Sequence, residues 1–133
     1  MFQVFKEQER KVDNMLPIVK HYELNENIDI ISLINNHFYL KGHIFHHYFY
    51  INRDIICHIT LILSDDNTLL FDDKLNINVI DRKSDIPYSP FYYSDDENDE
   101  HLKSVIYSYN ANMNNLCEQG IFKPKTNENI KAK

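Results

Sequence analysis

Between residues 42 and 63 the chain reads GHIFHHYFYINRDIICHITLIL, and the spacing of its large apolar positions changes there from a helical period to a period of two. Ile44, His46, Tyr48 and Tyr50 alternate with His43, Phe45, His47, Phe49 and Ile51. After the polar break INRD comes a β-branched run, IICHITLIL, so the stretch predicts a β-hairpin. SDDN (64–67) and DDK (72–74) have turn compositions and bound a short strand, TLLF. LNINVID follows, with Leu75, Ile77 and Val79 on one face, and completes a predicted four-stranded antiparallel meander.

Helical spacing flanks this block. Phe2, Phe5, Val12 and Leu16 recur at intervals a helix can use until Pro17 interrupts. In NENIDIISLINNHFYLKG, Asn27 is a candidate cap, Asp29 lies in the first turn, and Ile30, Ile31, Ile34 and Phe38 share a face; Gly42 is placed to stop a helix over about residues 28–39. Pro87 and Pro90 make RKSDIPYSPFYYSDDENDE a loop. Beyond it, Leu102, Val105, Ile106, Tyr109, Met113, Leu116 and Cys117 form the stripe of an amphipathic helix ending at Gly120. The fold class is α+β, one domain over 1–122, with the last helix on the sheet face formed by Ile44, Tyr48, Tyr50, Ile55, Cys57, Ile59, Leu61 and Leu63. Residues 123–133, KPKTNENIKAK, offer little to bury and read as a mobile Lys-rich tail.

Composition narrows the function classes. With 133 residues and 43% hydrophobic content the chain can bury a core without disulfides, and only two glycines leave no phosphate-cradling loop. The richness in Asp, Glu, Asn and Ile fits a low-GC genome. Cys57 and Cys117 form no CxxC, and the opening MFQVFKEQERK is charged where a signal peptide is apolar, which predicts a reduced, cytoplasmic protein. No apolar run approaches the roughly 20 residues that cross a bilayer, so no membrane partner is expected. The net charge of −6 argues against nucleic acid and for a partner with a basic surface.

Four of the seven histidines fall within the hairpin. A loop of two residues at Asn52 and Arg53, or of four closing on Tyr50 and Ile55, sets His47 opposite His58, with Phe45 opposite Thr60. Facing Cβ atoms about 4.5–5.5 Å apart would let two imidazoles share a metal or a proton. A three-residue loop shifts every pair by one and separates them. For a metal, His43, His47 and His58 are the candidates, with Asp72, Asp73 or His101 as further ligands. The first reading is that the histidines are half-buried polar residues of the more exposed sheet face, with neither metal nor cofactor, and the metal site is the alternative.

His58-Ile59-Thr60-Leu61 has the pattern H-x-T-x on a strand and resembles half of the signature of the two-histidine phosphoesterases. The resemblance covers four residues and implies that His58 acts as acid or base and that Thr60 holds phosphate, with His47 standing in as the second base. That family carries two such motifs, and no other histidine here has Ser or Thr two residues on.

The run SDDENDE (94–100) has a local explanation, since Ser94 and Glu97 match a capping box and carboxylates suit the start of a helix. Its surplus charge adjoins Phe91, Tyr92 and Tyr93, and with Asp95, Asp96, Glu97, Asp99 and Glu100 these make a candidate protein-binding patch. With no catalytic set complete, the expected function is a non-enzymatic binding module of the immunity, inhibitor or chaperone type. It would be a monomer or a homodimer, with TLLF as an edge strand able to pair with a second copy. A small hydrolase or metal protein built on His47 and His58 is the alternative.

Overall fold

The computed structural model describes residues 16–63 and 75–125, and within them the central hairpin closes on a three-residue loop. The Ile51 N–H donates to Ile55 O at 2.9 Å, which leaves residues 52–54 as the turn. Asn52 dictates this length, because its side-chain oxygen accepts from both the Asp54 and the Ile55 backbone N–H, at 2.8 and 2.9 Å. An Asx side chain thus replaces the left-handed residue that such a loop usually carries. Strands β3 (Ile44–Tyr50) and β4 (Ile55–Ile62), counted in the chain order given below, are locked in the register Phe45 to Leu61, His46 to Thr60, His47 to Ile59 and Tyr48 to His58.

The remaining strands extend this hairpin. In order along the chain the elements are β1 (Tyr22–Leu24), α1 (Ile30–Asn35), β2 (Tyr39–Lys41), β3, β4, β5 (Leu75–Asp81), β6 (Ile86–Pro87), α2 (Ser89–Tyr93), α3 (Glu100–Glu118) and β7 (Phe122–Pro124). β2 to β6 make a five-stranded antiparallel sheet in sequence order, and β1 pairs with β7 as a separate ribbon. The α+β class stands, and among the described residues the main sheet has five strands where the sequence pattern suggested a meander of four, with β2, β6 and the β1–β7 ribbon not anticipated. TLLF, Asp72, Asp73 and the first helical pattern lie outside the described residues. Lys123 and Pro124, assigned to the tail by composition, belong to β7, and the Lys125 N–H reaches His21 O at 2.9 Å.

The register decides which side of each strand faces the core. Phe45, Ile55, Cys57, Ile59, Leu61 and Val79 are buried beneath Val105, Tyr109, Met113 and Leu116 of α3. Each large apolar side chain so buried contributes ~1.5–3 kcal/mol. The β4 half of the predicted core face is as expected, but the β3 half is inverted: Phe45, His47 and Phe49 point inward, while Ile44, Tyr48 and Tyr50 lie on the other side. One residue of loop length causes the inversion, since side chains alternate along a strand.

The helix ends follow capping chemistry. α1 is capped by Asp29, whose carboxylate accepts from the Ser32 N–H at 2.8 Å, and not by Asn27. The helix stops well before Gly42 because His37 turns left-handed (φ 68°), with the Phe38 N–H bonded to Leu33 O and the His37 N–H to Ile34 O. Tyr39–Lys41 is consequently a strand, and Gly42 (φ 65°) serves the link into β3. Leu33, not the exposed Ile31 and Ile34, is the buried residue of α1. α3 buries the stripe its sequence predicted and ends in the same kind of motif at Gly120 (φ 83°), with the Ile121 N–H on Leu116 O. Its cap is Asp99, which accepts from the Leu102 N–H at 2.9 Å; Ser94 and Glu97 form no capping box there.

Two substitutions test these controls. Asn52→Ala strips two backbone donors of their acceptor and is expected to lower stability by about 1–3 kcal/mol in urea unfolding. Asp99→Ala removes a helix cap, with an expected loss of about 1 kcal/mol in the same measurement.

Candidate functional site

An antiparallel sheet covered on one side ordinarily presents polar residues on the other. Here the side left uncovered by the described residues carries Ile44, His46, Tyr48 and Tyr50 from β3, with Ile56, His58, Thr60 and Ile62 from β4. Tyr39 of β2 and Ile80 of β5 extend the same face. Tyr39, Tyr48 and Tyr50 are 49, 46 and 64% exposed, whereas the isoleucines and both histidines are half-buried by their neighbours.

The rings on this face are organised against one another. Tyr48 lies flat on His58, with ring centres 4.1 Å apart and planes within 8°. Tyr39 stacks more loosely on His46, at 5.4 Å and 20°. His46 Nδ1 and His58 Nε2 are 3.0 Å apart, with ring centres at 5.2 Å and planes within 12°. The separation of centres exceeds that of the nitrogens by about two ring radii, so the imidazoles lie edge to edge in nearly one plane. At that distance one nitrogen donates and the other accepts, and the contact has the length of a hydrogen bond. Burial, and then the charge His46 would carry, hold His58 below the ordinary imidazole range. Burial, reinforced by the neighbouring Tyr39, raises the Tyr48 phenol. At the far end of the face the Arg82 guanidinium sits 5.1 Å from the Tyr50 ring centre.

His47 and His58 do not meet, which removes the pair on which the hydrolase and metal readings rested. His47 faces Ile59 on the core side, stacks on Phe38 with ring centres 4.5 Å apart, and places Nδ1 3.2 Å from His37 O. An N–H donated to that carbonyl makes it a structural residue, and burial lowers its affinity for a proton. The three-residue loop brings His46 to His58 instead, with Thr60 directly across from His46. His43 is exposed in the link before β3. Among the described residues no group of three or more His, Cys, Asp or Glu side chains is arranged to hold a metal ion. His101 lies elsewhere, with Nδ1 2.8 Å from the Tyr88 hydroxyl and Nε2 3.3 Å from the Asn52 amide. That amide must donate, because its oxygen already caps the hairpin turn, so Nε2 accepts and Nδ1 donates to Tyr88.

The candidate patch around α2 divides into inward and outward parts. Phe91 packs on Tyr109 at 4.9 Å, and the Tyr92 hydroxyl accepts from the Val79 N–H at 2.8 Å, satisfying the edge of β5. Tyr93 is 86% exposed. The acidic turn is shaped by its own side chains: Ser94 Oγ accepts from the Asp96 N–H, Asp96 Oδ1 from the Asn98 N–H, and Asp99 caps α3. Asp95, Asp96 and Glu97 are exposed and pair with no cation among the described residues, while Glu100 lies 3.3 Å from Lys103.

The histidines give this arrangement a pH dependence. His47 and His58 bind protons less readily folded than unfolded. Their contribution is therefore complete above the unfolded imidazole value of about 6.5 and lost as pH falls below it. The unfolding free energy is expected to drop between pH 7 and pH 5.5, and to drop less in His47→Gln; equal slopes in the two proteins would contradict the assignment. Comparisons of the chain with protein-family models, with curated proteins and with solved structures find no match, so its chemistry is read from its own residues.

Proposed function

We propose that the chain is a non-enzymatic protein-binding domain of the immunity, inhibitor or chaperone kind, which receives a partner's basic surface on the open face of its sheet. One observation carries this reading. β4 has the composition of a strand buried on both sides, Ile56, His58, Thr60 and Ile62 alternating with the core residues, yet among the described residues only one side is covered. The open side bears large flat rings already stacked on each other, so a partner meets contact area that loses little conformational freedom on binding.

Charge selects the partner's sign. A chain of net charge −6, with Asp95, Asp96 and Glu97 exposed, attracts a basic protein at long range. Tyrosine faces also accept guanidinium groups, as Tyr50 accepts Arg82. The outward part of the patch, Tyr93 with the acidic turn, then supplies steering, and the ring face supplies the buried contact.

Affinity capture with the full chain tests both parts. A specific partner retained by the wild type is expected to be lost when Tyr39→Ala and Tyr48→Ala are combined, since aromatic anchors at an interface centre are each worth ~2 kcal/mol or more. Asp95→Lys with Glu97→Lys should weaken capture mainly at low salt. Unchanged retention by the ring variant, with its fold intact by circular dichroism, would overturn the proposal.

A further inference from the structure

On the covered side of the sheet the described residues leave part of the core unfilled. Val79 of β5 is fully buried, but Leu75 and Ile77, on the same side of the same strand, are only half-buried. They floor a cavity of about 460 Å³, within the ~300–1,000 Å³ typical of small-molecule sites. Among the described residues its walls are Phe91 and Tyr92 of α2, Tyr109 of α3, and the segment from Val19 to Tyr22 with Lys125.

The ionisable side chains of this cavity, its tyrosines aside, are all basic. Lys20, His21 and Lys125 are its basic-type residues, and no carboxylate lines it among the described residues, in a chain with 20 Asp and Glu against 14 Lys and Arg. Hydrogen bonds hold the backbone segments that carry them. Asn110 of α3 ties down the first segment, accepting from the Lys20 N–H at 3.3 Å and donating to Ile18 O at 2.8 Å, and the Lys125 N–H bonds to His21 O. Neither Lys20 nor Lys125 has an ion-pair partner among the described residues. Tyr22 contributes a second anomaly: it is 6% exposed, and its hydroxyl is buried without any hydrogen-bond partner. Burial pushes that phenol up to about 12, so it remains a protonated donor.

We propose that this cavity binds a small amphipathic organic acid, its apolar body against Leu75, Ile77, Phe91 and Tyr109 and its carboxylate toward Lys20 and Lys125. Apolar walls with basic residues among the lining suit such a ligand, and a carboxylate that meets an ammonium group gains charge-assisted hydrogen bonds. The site is independent of the open sheet face, so either can fail without the other.

Titration of the full ¹⁵N-labelled chain with sodium decanoate tests it. Saturable one-to-one binding is expected, with amide shifts centred on Ile77, Phe91, Tyr109 and Lys125. Lys20→Gln combined with Lys125→Gln, neither of them a core residue, should weaken binding at least tenfold, and decylamine should not compete. Leu75→Trp should abolish binding by filling the floor. Absence of saturation, equal binding of decylamine, shifts centred on Tyr39 and Tyr48, or undiminished affinity of the double lysine variant would each overturn the proposal.

Discussion

The two hydrogen bonds accepted by the Asn52 side chain govern most of what this protein presents to its surroundings. They fix a three-residue turn, the turn fixes the pairing of β3 with β4, and the pairing decides which parity of GHIFHHYFYINRDIICHITLIL is core and which is surface. Every ring contact on the open face follows from that parity: Tyr48 over His58, His46 beside His58, and His47 withdrawn against Phe38. The same Asn52 reaches His101 at the start of α3 through its amide nitrogen, so the turn is also tied to the helix layer. The loop that sets the sheet's register is thus braced by the element that covers its other side.

Much of the fold was legible because its signals are local and repeated. The stripe of α3 needed only helical spacing, and Gly120 ended it where a left-handed residue was required. β4 and β5 announced themselves by β-branched alternation. What was not legible depended on single side-chain hydrogen bonds. Asp29, not Asn27, caps α1, and His37 adopts the left-handed conformation that Gly42 was expected to supply. Nothing in periodicity separates these choices, since either residue of each pair satisfies the pattern.

The candidate site shows the same division. The histidine cluster was visible in the sequence, and so was the dependence of its pairing on loop length. The outcome rested on Asn52 acting as an Asx cap, for which the signal was present in the residue itself: Asn accepts from backbone two and three residues ahead more readily than Asn-Arg makes a two-residue hairpin turn. The cavity beneath β5 had no sequence signature, because Lys20, Tyr22, Ile77, Tyr109 and Lys125 converge only in three dimensions.

The register of the central hairpin determines the ring array and the core face alike, and interstrand nuclear Overhauser effects read it directly. Close contacts between the backbones of His46 and Thr60 and of Tyr48 and His58, with a bond between the His46 and His58 rings visible as nitrogen–nitrogen scalar coupling, are the predicted result. Backbone contacts pairing His47 with His58 and Phe45 with Thr60 would contradict it, returning His47 to the open face and dissolving the ring array.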